Sequence, residues 1–140
     1  ARGSLMTLRY LLDTDTCIYI AKHHPLVARE RLARLKPGQV GMSVVTFGEL
    51  LFGAEKSRSK AKAIQVLKQL QQVVPIVDLD AETAQRYGEI RALLERAGTP
   101  IGSNDLWIAA QATAKDLILV TNNVREFKRI KGLKIENWAT

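Results

Sequence analysis

Residues 9–18 read RYLLDTDTCI, and the break inside this stretch decides the fold. An apolar run, Tyr10-Leu11-Leu12, stops abruptly at Asp13, and Asp15 follows after one threonine. Such a run leading straight into two carboxylates describes a short buried strand whose carboxyl end opens on a charged site. Taken alone, the stretch fits three uses of those acids. Asp13 can be the nucleophile of a phosphatase, or can hold a metal ion in a nuclease without becoming covalent. It can also merely cap the next helix, which aspartate does readily.

Outward from this strand, helical and strand-like segments alternate. PLVARERLARLKPG (25–38) reads as a helix, with Leu26, Arg29, Leu32 and Ala33 at helical spacing and Pro37-Gly38 as its stop. QVGMSVV (39–45) is a second short strand, and TFGELLFGAEKS (46–57) a helix with Glu49 in its first turns. AKAIQVLKQLQQV (61–73) is another helix, burying Ile64, Leu67 and Leu70. VVPIVDL (73–79) is strand-like, and Pro75 suits an edge position. Asp80 is the expected N-cap of AETAQRYGEIRALLERAG (81–98), closed by Gly98. GSNDLWIAAQATAKD (102–116) starts a helix with Ser103 as N-cap and Asp105 in its first turn. LILVT (117–121) is a wholly apolar strand running into Asn122-Asn123, and LKIENW (133–138) a last short one.

This alternation predicts an α/β fold, a three-layer α/β/α sandwich around a central, mainly parallel sheet. Ligands of such sheets sit beyond the carboxyl ends of the strands. Asp13 and Asn123 follow strands directly, and Glu49 lies shortly after one. Asp105 reaches the same rim if its helix runs antiparallel to the next strand, the normal arrangement in a strand–helix–strand unit. The four polar groups are thus expected to converge.

The 140 residues fit one domain. The opening ARGSL before Met6 has the look of a cloning remnant, so the domain is expected to span 6–138. Apolar residues make up 46 %, enough for a real core, yet no run approaches the roughly 18 apolar residues that cross a bilayer. The single cysteine, Cys17, cannot form an internal disulfide, which suits a reducing, cytoplasmic setting. Lys and Arg number 21 against 14 Asp and Glu, a net charge of +7. That surplus favours an anionic partner, with nucleic acid first among the candidates. It is spread over RERLARLK, EKSRSKAK and REFKRIKGLK, so a folded surface rather than a tail would make the contact.

Three segments together are specific. YLLDTDTCI, then SVVTFGELLFGAEKS, then GTPIGSNDLWIAAQATAKDLILVTNNVREFKRIKGLKIENW closely resemble the PIN-domain ribonucleases, above all the VapC toxins of bacterial toxin–antitoxin pairs. The resemblance spans Met6 to Trp138 in the family's order and spacing. It implies Asp13, Glu49 and Asp105 as an acidic triad organising Mg²⁺ or Mn²⁺, with Asp13 and Asp105 the most direct ligands. The position that is often a fourth acid is Asn123 here, whose amide oxygen can ligate but brings no charge; Glu126 offers an acid nearby. Thr121 would support the site through its hydroxyl, and Asp15 would stand behind Asp13 or cap the helix. The implied activity is metal-dependent endonucleolytic cleavage of structured RNA, tRNA being the expected class. The implied partners are a second copy of the chain and a VapB-like antitoxin.

Chemistry explains the gathering. Phosphodiester cleavage at neutral pH needs an activated water and a partner for charge developing on phosphate, and divalent metal supplies both. Magnesium wants oxygen ligands and keeps several waters, so a few carboxylates suffice.

Two other functions compete. A PIN fold without metal chemistry would be an RNA-binding module, a reading that Asn123 keeps open. The aspartate-nucleophile phosphatases want threonine or valine two residues after the second Asp, where this chain has Cys17, and they need a later lysine and acidic pair. His23 and His24 diverge as neighbours and read as a solvated helix start before Pro25; Cys17 reads as core. Trp107, Ile108 and Phe52 read as packing or dimer surface.

Overall fold

A computed structural model describes residues 8–140; the proposed remnant, 1–5, and the domain start at Met6 lie outside them. Among the described residues five strands form one sheet: β1 (Tyr10–Leu12), β2 (Val40–Ser43), β3 (Ile76–Val77), β4 (Ile118–Val120) and β5 (Lys134–Glu136). The order across the sheet is β3-β2-β1-β4-β5, every pairing parallel. Seven helices connect them: α1 (Thr14–Lys22), α2 (Leu26–Ala33), α3 (Val44–Glu55), α4 (Lys60–Val73), α5 (Ala81–Arg96), α6 (Ser103–Ala114) and α7 (Val124–Phe127). The expected α/β/α sandwich is the observed architecture.

Strand side chains alternate faces, so adjacent residues serve different layers. Leu12 and Val120 join Cys17, Ile20, Met42, Leu50, Leu67 and Leu70 beneath α1, α3 and α4. Their neighbours Leu11 and Leu119 join Ile90, Leu94, Leu106, Ile108 and Phe127 beneath α5 and α6. Two apolar layers clamp the sheet, and the short central strands are buried on both faces.

The elements follow their local chemistry closely. Asp80 caps α5 by accepting from the Thr83 N–H at 2.9 Å. That helix ends as expected, with Gly98 at φ +73 and Thr99 N–H reaching Leu94 O at 2.9 Å. Pro75 leads into β3, which is indeed an edge strand. Gly41 in β2 is needed there: a Cβ would meet Val77 Cγ2 at 2.7 Å and Pro75 O at 3.1 Å.

Several details differ from the sequence reading. TDTCIYIAK forms the helix α1, whose outward polar residues and short length hid its period. His23 ends this helix at φ 56, and His24 stands just before Pro25, the N-cap of α2, so the solvated pair lies at the expected helix start and also closes α1. Leu26 faces solvent, and Ala28 is the buried residue of α2. Gly102, not Ser103, precedes the first turn of α6. VREF makes the one-turn helix α7, too short to show a period.

Candidate active site

The strand order reverses between β1 and β4, whose chain neighbours lie on opposite sides. That crevice, at the carboxyl edge of the sheet, is the place where parallel sheets bind ligands. Asp13 stands at the end of β1 and Thr121 at the end of β4, side by side.

Asp13 is buried, 6 % exposed, and its two oxygens have separate tasks. Oδ1 accepts the Thr16 N–H at 2.9 Å and caps α1. Oδ2 accepts the Thr121 hydroxyl at 2.5 Å, and Thr121 Oγ1 itself accepts the Asn123 N–H at 2.9 Å. Capping and site-building are therefore one arrangement rather than rival roles. Burial raises the Asp13 pKa; the bonds from Thr121 and Thr16 oppose the rise, and the Asp15 carboxylate adds to it. Asp15 itself is exposed in the first turn of α1 and caps nothing.

Glu49 arrives from α3, whose start is fixed by Ser43 accepting the Val45 N–H at 3.1 Å. Its Oε1 accepts the Thr14 hydroxyl at 2.5 Å. Thr14 was not singled out from sequence, although it is the first helical residue after the capping Asp13. Helix α6 starts at the carboxyl rim, as the antiparallel argument requires, and places Asp105 there. Asp105 is half-buried, and its pKa is pushed up to about 7. Burial is the main cause; a hydrogen bond with Glu126, then the charges of Glu126, Glu49 and Asp13, add to it. Thr14 and Glu49 line one groove with Asn104, the chain neighbour of Asp105, so these groups share one rim.

Asp13, Glu49, Asp105 and Glu126 thus form one acidic cluster, and among the described residues none of them makes an ion pair. Glu126 Oε1 is buried without a hydrogen-bond partner. Asn123 holds its backbone in the crevice through Thr121, while its side chain is exposed and makes no hydrogen bond among the described residues. No three acidic, histidine or cysteine side chains among the described residues already close around one point; Thr121 holds Asp13 and Thr14 holds Glu49 at the same rim. An orphaned carboxylate oxygen and an uncompensated set of hard oxygen donors fit a divalent cation, which would relieve both penalties.

The other candidates sort simply. Cys17 is fully buried core, its thiol pKa raised by burial. Trp107 is half-buried and stacks on Tyr87 at 3.9 Å between centroids. Ile108 is core, but Phe52 is 62 % exposed. No helix among the described residues is long and apolar enough to cross a membrane.

The model of the PIN domain matches residues 10–133. The chain is 42 % identical to the tRNA(fMet)-specific endonuclease VapC of Shigella flexneri over 132 residues, covering 94 % of this chain and 99 % of that one. It is 40 % identical, over the same shares, to ribonuclease VapC2 of Haemophilus influenzae. Among solved structures, the DNA-bound VapBC of Salmonella typhimurium superposes with a TM-score of 0.88 at 41 % identity, covering 94 % and 98 % of the two chains. VapBC-1 of nontypeable Haemophilus influenzae gives 0.87 at 35 %, covering 95 % and 100 %. The chain belongs to the PIN-domain family, and within it to the VapC ribonucleases.

Proposed function

We propose that this protein is a divalent-metal-dependent endoribonuclease toxin that cuts structured RNA, tRNA being the class, and so halts translation. The observation that carries the proposal is the acidic cluster: four carboxylates from distant segments, unpaired with any base among the described residues, at the crevice between β1 and β4. Asp13, Asp105 and Glu49 are the proposed holders of Mg²⁺ or Mn²⁺, with Glu126 beside them and Asn123 offering a neutral amide oxygen at the rim. The cation, when bound, supplies charge neutralisation at phosphate and activation of water.

The chain's own groups do the positioning. Thr121 and the Thr16 N–H fix both oxygens of Asp13, so its carboxylate cannot turn away. Thr14 holds Glu49 toward the same crevice, where it orients the attacking water. Without metal the Asp105 carboxyl is raised to about 7 by burial and by its acidic neighbours, so a divalent cation at the cluster would take the place of that proton. The net charge of +7 draws the RNA backbone to the surface around this pit.

By analogy with the VapBC complexes of the related proteins, the proposal includes a cognate antitoxin that covers the site, a homodimer, residues 6–138 acting as one domain, and a cytoplasmic setting. Purified protein incubated with tRNA and Mg²⁺ or Mn²⁺, with and without EDTA, tests the core of it. Cleavage should stop with chelator and with Asp13→Asn. Cleavage that persists in EDTA would reject the metal mechanism, and binding without cleavage would leave an RNA-binding module.

A further inference from the structure

Helix α3 carries more than a core element needs. Thr46, Leu50 and Ala54 form its buried face. Val45, Gly48, Glu49, Phe52, Gly53 and Lys56 recur at i, i+3, i+4, i+7, i+8 and i+11, a single outer stripe. With Thr14 and Asn104, that stripe lines a shallow groove of about 680 Å³. Glu49 belongs to the acidic cluster, so the groove runs directly out of the candidate active site.

Beyond Glu49 the groove changes character. Phe52 stands about 4.5 Å farther along the axis at 1.5 Å per residue, with most of its ring in solvent. Lys56 Nζ lies 4.5 Å from the centroid of that ring, a cation beside an exposed aromatic. A methyl group at Gly48 or Gly53 would meet nothing within 4 Å, so the chain's own packing does not require glycine at either position. Each weakens the helix relative to alanine. What two side-chain-free positions beside an open aromatic ring supply is headroom for a molecule from outside.

The acidic cluster repels phosphate, so a nucleic-acid strand needs attractive contacts close by. An aromatic face with a cation next to it is the chemistry that holds single-stranded nucleic acid. We propose that the outer face of α3 is a nucleotide subsite. The base flanking the scissile phosphate stacks on Phe52 above Gly48 and Gly53, and Lys56 neutralises the adjoining phosphate. This deepens, and rests on, the nuclease reading of the acidic cluster. It also specifies the substrate: a base within a helical stem cannot lie on Phe52, so the cut falls at an unpaired nucleotide.

The test uses an RNA hairpin with a labelled loop and steady-state cleavage by wild type, Phe52→Ala, Phe52→Trp, Lys56→Gln and Gly48→Ala. Phe52→Ala should raise KM about tenfold, the size expected for loss of one base stack, and Phe52→Trp should restore it. Gly48→Ala should raise Tm while also raising KM, a pairing that a purely structural role does not give. A 2-aminopurine in the loop should be quenched on binding to Asp13→Asn and not to the double variant with Phe52→Ala. Unchanged KM in Phe52→Ala, alongside an inactive Asp13→Asn, overturns the subsite and spares the nuclease reading. Full activity in Asp13→Asn overturns that reading itself. A Phe52→Ala chain that loses a dimer, with KM unchanged once dimer is restored by concentration, makes this face a contact between copies and overturns the subsite.

Discussion

Replacing Asp105 by asparagine should destroy activity and stabilise the metal-free fold, and the two effects have one cause. In the folded chain the Asp105 carboxyl is raised from 3.8 to about 7 by burial and by Glu126, Glu49 and Asp13. Such a group binds more protons folded than unfolded, so stability falls as pH rises between about 4 and about 7. At 1.36 kcal/mol per pKa unit the penalty above pH 7 would be about 4 kcal/mol. Asp105 is only half-buried, so solvent screening reduces this to about 1–2 kcal/mol. Asparagine keeps the shape, donates an N–H to Glu126 as the protonated acid does, and never ionises. In EDTA at pH 8, Asp105→Asn should therefore melt roughly 3–6 °C above wild type. The gap should close as pH falls toward 4.5, measured by urea or thermal unfolding across the range. RNA cleavage in Mg²⁺ should fall at least about 100-fold. A variant no more stable at pH 8 than wild type, or equally stabilised at both pH values, would refute the electrostatic account of the cluster.

Saturating Mn²⁺ should raise the Tm of wild type and leave Asp13→Asn nearly unmoved, since a ligand stabilises only the state that binds it; thermal melts with and without metal read this. Thr121→Val keeps the volume but takes the hydroxyl from Asp13 and from the Asn123 N–H. It should cost about 1–3 kcal/mol in urea denaturation and lower kcat more than it changes KM. Gly41→Val puts its Cβ against Val77 Cγ2 and the Pro75 carbonyl, and should lower stability by about 1–3 kcal/mol, seen as a reduced urea midpoint. His23→Gly relieves the left-handed residue at the end of α1 and should raise stability by about 1 kcal/mol in the same assay, with cleavage unchanged.

The fold was legible wherever local chemistry and long-range packing agree. The apolar run that breaks at Asp13, the Asp80 cap and Gly98 stop of α5, and Pro75 beside an edge strand each state in a few residues what the whole sheet then requires. The helices that escaped notice are those that spend little sequence on an inner face. TDTCIYIAK buries only Thr16, Cys17 and Ile20, a short stripe with a polar member, and VREF is a single turn.

The candidate site divides along the same line. Residues at strand ends could be placed by the rule for parallel sheets, because the chain direction alone decides which rim they occupy. Glu126 could not, because its direction depends on the rotation of a one-turn helix, and no periodicity reports that. The rotation is set by its neighbour: Phe127 is driven into the layer beneath α5 and α6, and burying that ring turns Glu126 toward Asp105. The apolar side chain thereby imposes a cost on the polar one, leaving a carboxylate oxygen buried and unbonded. Asn123, three residues earlier, keeps its amide in solvent, so the charge beside Asp105 comes from Glu126. Core packing at Phe127 and chemistry at Glu126 are therefore coupled. A Phe127→Leu chain that still folds should loosen Glu126, lower the apparent pKa of Asp105 in a carboxyl NMR titration, and weaken cleavage without any change to a site residue. A titration unchanged from wild type would show that Glu126 is held by something other than its buried neighbour.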